Sequence, residues 1–87
     1  MIEVHFKPSF IRQMNKLEAN LVDEAVEKIA LFKDVRNHKA LKVHKLKGHL
    51  KNTHSFWVNY QVRIVFEYES QNEAVLLMIG DHDVYKA

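Results

Sequence analysis

The 87-residue sequence contains no cysteine. That excludes disulfide frameworks, thiolate metal sites and cysteine nucleophiles together. Only two glycines and one proline interrupt it, which argues against a loop-dominated or low-complexity chain. No apolar run approaches membrane-spanning length, and Met1 to His5 lack the basic-then-apolar pattern of a secretory signal. The expectation is a cytoplasmic protein with no membrane partner. Acidic residues are absent from one long stretch: Val35 to Phe66 holds no Asp or Glu.

What is present is a folding composition, 47% hydrophobic and 28% charged, with length for a single domain over residues 1–87. The acid-free stretch carries Arg36, Lys39, Lys42, Lys45, Lys47, Lys51 and Arg63, with His38, His44, His49 and His54 among them. The rest of the chain has six Lys/Arg against eleven Asp/Glu. Charge separated in this way makes one region electropositive and favours a polyanionic partner over a merely solvated basic face.

Ile2, Val4 and Phe6 alternate with polar neighbours, as on a half-buried strand. Pro8 suits the first turn of a helix, and Phe10, Met14 and Leu17 extend helical spacing to about Ala19. Asn20 is a candidate N-cap for a second helix, with Val22, Ala25, Val26, Ile29 and Phe32 as its apolar stripe. Leu41, Val43 and Leu46 anchor a short extended piece before a turn at Gly48. Strands follow over Ser55 to Asn59, from Val62 to Tyr68 and from Ala74 to Ile79, where Gly80 ends the last. The order β-α-α-β-β-β predicts an α+β domain: a small antiparallel sheet with an N-terminal helix hairpin on one face. Val62, Ile64, Phe66 and Tyr68 then face the helices, and Arg63, one residue out of phase, projects from the other side.

Three segments carry a family likeness: His44-Lys45-Leu46-Lys47-Gly48, Ser55-Phe56-Trp57-Val58-Asn59 and Val62-Arg63-Ile64-Val65-Phe66-Glu67. Together with the ending Ile79-Gly80-Asp81-His82-Asp83-Val84-Tyr85, they resemble the RelE/ParE superfamily of toxins of type II toxin–antitoxin systems. The resemblance covers essentially the whole chain. It implies a ribosome-dependent mRNA endonuclease that inhibits translation, or alternatively a ParE-like inhibitor of DNA gyrase. A catalytically silent member acting through antitoxin complexes is the third reading. In every case a cognate antitoxin is implied, whose acidic amphipathic segment covers the basic face. For the nuclease, the ribosome and mRNA are partners too.

Metal-free RNA cleavage uses the 2′-OH as nucleophile and needs a base, an acid for the leaving 5′-oxygen, and positive charge on the phosphate. No metal-ligand cluster is evident in the sequence, and no cofactor is implied. By resemblance His82 is the acid or base, and an imidazole titrates in the range either role requires. Arg63 matches the arginine that contacts the scissile phosphate, and its planar guanidinium suits that task. Tyr85 falls where an aromatic orients the nucleotide, and His44 resembles a second acid–base histidine of YafQ-like members. Lys45, Lys47 and Lys51 are expected to clamp phosphates, with His54 a weaker contact. Trp57 departs from the family pattern. Many relatives place a basic residue in that strand, so Trp57 either stacks on a base or marks a surface of reduced nuclease activity.

Overall fold

The computed structural model describes residues 1–48, 52–81 and 84. Strand β1 (Glu3–Phe6) leads into α1 (Pro8–Met14) and α2 (Ala19–Phe32), then a 3-10 turn over Val35–Asn37. Strands β2 (His44–Lys45), β3 (Thr53–Trp57), β4 (Val62–Ser70) and β5 (Glu73–Asp81) complete it. They form one five-stranded sheet in the order β1-β5-β4-β3-β2.

This is the expected α+β architecture, with one correction to the sheet. β1 lies parallel to β5, while the other pairs are antiparallel, so the sheet is mixed. Side-chain alternation fixes which face a strand buries, not its direction. The helices carry the chain away from the end of β1, and β5 returns beside it in the same sense. A further strand, β2, is only two residues long and lies within the piece anchored by Leu41, Val43 and Leu46.

Helix boundaries differ for local reasons. Pro8 occupies the first turn of α1 as expected. The ladder then tightens, with Lys16 N–H donating to the Gln13 carbonyl and Leu17 N–H to Met14, so regular α-helix ends well before Ala19. Glu18, not Asn20, is the N-cap of α2, because its carbonyl already accepts from the N–H of Leu21 and Val22. At the other end of α2, His38 donates through Nε2 to the Phe32 carbonyl at 2.7 Å, and Asn37 Nδ2 donates to the Leu31 carbonyl. These bonds satisfy carbonyls that a helix end leaves open.

The core lies between the helices and one face of the sheet. Ala25, Ile29 and Phe32 on α2 are buried, spaced as one helical stripe. Phe32 stacks on Phe56 with centroids 4.5 Å apart and meets Phe66 edge-on at 4.7 Å. Val62, Ile64, Phe66 and Tyr68 all belong to this cluster or pack against it, as alternation predicts. Val26, placed by periodicity in the buried stripe, is instead 55% exposed: one residue beyond Ala25 is about 100° further round the helix.

Candidate nucleic-acid interface

The face of the sheet away from the helices is organised by a tight connection between β3 and β4. Val58 and Asn59 were expected in a strand but belong to this turn, both N–H groups donating to the Val62 carbonyl. Asn59 is its hinge pin. Its Oδ1 accepts from the N–H of Gln61 and Val62, and its Nδ2 donates to Glu24 Oε1 on α2 at 2.7 Å.

Arg63 and Trp57 are register partners on β4 and β3, so they share a face. The guanidinium carbon of Arg63 stands 4.0 Å from the indole centroid, and Nη1 donates to the carbonyls of Asn59 and Tyr60 at 2.8 and 2.7 Å. The residue is only 9% exposed. Arg63 therefore points away from the helices, as expected, but is not an open cation reaching into solvent: one nitrogen holds the turn and its plane rests on Trp57.

Lys42 adds a second cation to the same ring, its Nζ 5.9 Å from the Trp57 centroid. Lys42 has φ 60°, a left-handed conformation that costs a non-glycine residue ~1–2 kcal/mol. Strain of this kind concentrates at functional sites. The sequence shows Lys42 only as one lysine of many, so its role at Trp57 was not legible there. The Leu41 carbonyl ties this loop to the sheet by accepting from the Trp57 N–H.

His44 pairs with Ser55 and therefore shares the Trp57–Arg63 face, two strands from β4, or about 10 Å. Its Nδ1 lies 2.8 Å from the Lys42 carbonyl. A carbonyl only accepts, so Nδ1 carries the proton, and Nε2 is the atom able to exchange one. His54 points the other way: its ring packs against Phe66 and Tyr68 on the helix side. The structure thus does not bring His54 to Arg63. Lys45, its partner across the β2–β3 ladder, and Lys47 are exposed. His82, Tyr85 and Lys51 lie outside the described residues. Gly80 of β5 pairs with Arg63 and Asp81 with Val62. Val84 sits over Gly80, where an added Cβ would meet its Cβ at 3.6 Å.

A concavity of about 710 Å³ separates α1 from α2, on the other side of the molecule. Phe6, Phe10, Ile11, Met14, Val22 and Val26 line it. Phe6, Ile11 and Val26 are each more than two-fifths exposed, so the groove is a largely apolar surface, with Asp23 and Lys33 also in its lining.

Comparison with known proteins decides the family. Residues 5–82 match the family model of HigB-like toxins, described as the RelE-like toxin of the type II toxin–antitoxin system HigB. The chain belongs to this family. No curated protein matches it in sequence. Solved structures show how widely HigB-like toxins share their fold. The chain is 20% identical to the conserved hypothetical protein HP0894 from Helicobacter pylori, with 95% of this chain and 97% of that one covered and a TM-score of 0.72. It is similar to the RelBE2 toxin–antitoxin complex from Mycobacterium tuberculosis at 20% identity, 93% and 98% coverage and a TM-score of 0.73. The Escherichia coli DinJ–YafQ toxin–antitoxin complex has 11% identity, 99% and 98% coverage and a TM-score of 0.74. The expected RelE-like toxin is therefore the correct reading. Among the described residues no helix is long and apolar enough to cross a membrane.

Proposed function

We propose that this HigB-like toxin is an endoribonuclease that cuts mRNA on the ribosome and so stops translation. The observation that carries this reading is the convergence of Arg63 and Lys42 on Trp57, on a face fed by an acid-free stretch of chain. Two cations drawn to one indole favour a phosphate, whose charge grows as the 2′-oxygen attacks phosphorus. In this reading Arg63 steadies the scissile phosphate, His82 exchanges the proton, and Tyr85 orients the nucleotide. His44, through Nε2, is the second acid–base group. Lys45, Lys47 and Lys51 hold flanking phosphates. A cognate antitoxin silences the protein by laying an acidic segment over these cations. The apolar side of that segment suits the α1–α2 groove if it wraps around the domain.

The test is mRNA cleavage in a reconstituted translation system, with and without ribosomes, comparing wild type with His82→Ala. Ribosome-dependent cuts that fade in the variant are the expected result. A second reading, a gyrase-directed inhibitor without chemistry, is favoured by one observation: Nη1 of Arg63 is committed to the Asn59 and Tyr60 carbonyls. Intact mRNA from both proteins, with loss of DNA supercoiling, would establish that alternative.

A further inference from the structure

At the opposite edge of the sheet, Glu3 and His5 lie two residues apart on β1 and so share a face. The parallel register places Glu3 directly beside Glu73 of β5. His5 Nε2 stands 3.7 Å from Glu3 Oε1 and 3.5 Å from Glu73 Oε2. One donor atom from each residue falls within 4.8 Å of the other two. We propose that Glu3, His5 and Glu73 bind one divalent transition-metal ion of the Zn²⁺ class.

Geometry supports this first. Ligand bonds of about 2.0–2.1 Å in a tetrahedral shell put neighbouring donor atoms about 3.4 Å apart. The imidazole–carboxylate separations exceed that by only a few tenths of an ångström, within reach of small side-chain rotations. The donors stand on two strands hydrogen-bonded to each other, so the backbone spacing is fixed before any ion arrives. Glu73 is also oriented from outside the trio: Ser70 Oγ donates to its Oε1 at 2.9 Å, leaving Oε2 toward His5. Hydrogen bonds of this type set ligand direction at metal sites.

Chemistry selects the ion. One imidazole with two carboxylates suits Zn²⁺, whereas Mg²⁺ favours an all-oxygen octahedral shell. The side chains are 44%, 69% and 44% exposed for His5, Glu3 and Glu73, so water completes the shell. Bound there, the ion clips the edge strand β1 to β5. This role is independent of the nuclease reading, because β1 and β2 are opposite edges of the sheet.

The test is calorimetric titration of the tag-free full chain with ZnCl₂, using wild type, His5→Ala and Glu73→Gln, alongside imidazole ¹⁵N spectra. The expected result is one equivalent bound by wild type, with affinity falling ~10-fold or more in each variant. The His5 Nε2 resonance should move on saturation, Tm should rise in wild type only, and MgCl₂ should do neither. The side chains exchanged are substantially exposed, and circular dichroism checks that both variants fold. Equal affinity in all three proteins, or resonance shifts confined to other histidines, would overturn the site.

Discussion

Arg63 joins two tasks in one side chain, holding a turn and carrying charge. Two charge-assisted hydrogen bonds and a stacked indole predict that Arg63→Ala costs about 3 kcal/mol of stability, read from urea unfolding. Arg63→Lys separates the tasks. It keeps the charge but loses the planar fork, so it should destabilise while retaining affinity for RNA. Retained stability in the lysine variant would show that the carbonyls of Asn59 and Tyr60 do not need the guanidinium. A second residue is informative through its proton. Asp34 caps the 3-10 turn and receives the Arg36 side chain and backbone N–H, which hold its pKa near 2, below the ordinary 3.8. A depressed carboxylate stabilises the fold above its unfolded pKa and loses that contribution as pH falls through the folded one. The contribution is therefore expected to vanish between about pH 4 and pH 2. A carbon-detected NMR titration should give a midpoint near 2 for Asp34, returning toward the ordinary value in Arg36→Gln. At this scale the sequence was a partial guide. Alternation showed that Arg63 faces away from the helices, but not that Asn59 and Tyr60 would present carbonyls to it. Those contacts depend on a turn that starts early, at Val58 and Asn59, which read as the end of a strand.

The elements were legible wherever periodicity was long. The β4 pattern, the Pro8 helix start and the Ala25–Ile29–Phe32 stripe all follow from it. Phe32→Ala should cost about 3–5 kcal/mol, because this ring is fully buried and meets both Phe56 and Phe66. Strand direction was not legible, since β1 carries the same alternation whether it pairs parallel or antiparallel. That limit also hid the Glu3–His5–Glu73 cluster, in which Glu73 stands seventy positions from Glu3 in sequence. The loop at Lys42 was hidden for another reason: a positive φ leaves no mark when the residue is lysine and not glycine. Lys42→Gly is expected to raise stability by about 1 kcal/mol by relieving the left-handed backbone, while weakening RNA binding through loss of the ammonium beside Trp57. A variant that loses both would place Lys42 in the packing and not in the interface.

Across the whole molecule the two faces divide the labour. One side of the sheet buries phenylalanines under the helices, and the other holds Arg63 of β4 and Lys42 of the loop before β2 around Trp57. The net charge of the chain is slight, +2, so what matters is that the acids are elsewhere. A surface that binds RNA through phosphates must release counterions, and its affinity then falls linearly on a logarithmic salt scale, with a slope of about −0.7 per phosphate for single strands. Replacing Lys42, Lys45 and Lys47 together by glutamine should therefore flatten the salt dependence of single-stranded RNA binding by about 2 if each meets one phosphate. All three are exposed, so the fold should be retained, which the unfolding midpoint checks. A slope unchanged by the triple substitution would mean that the cations serve the antitoxin and not RNA. In that case the affinity for an acidic antitoxin segment should fall instead, because its carboxylates would face the same three lysines. If the slope does flatten, the two polyanions compete for one surface, and adding the segment should displace RNA from wild type more effectively than from the variant.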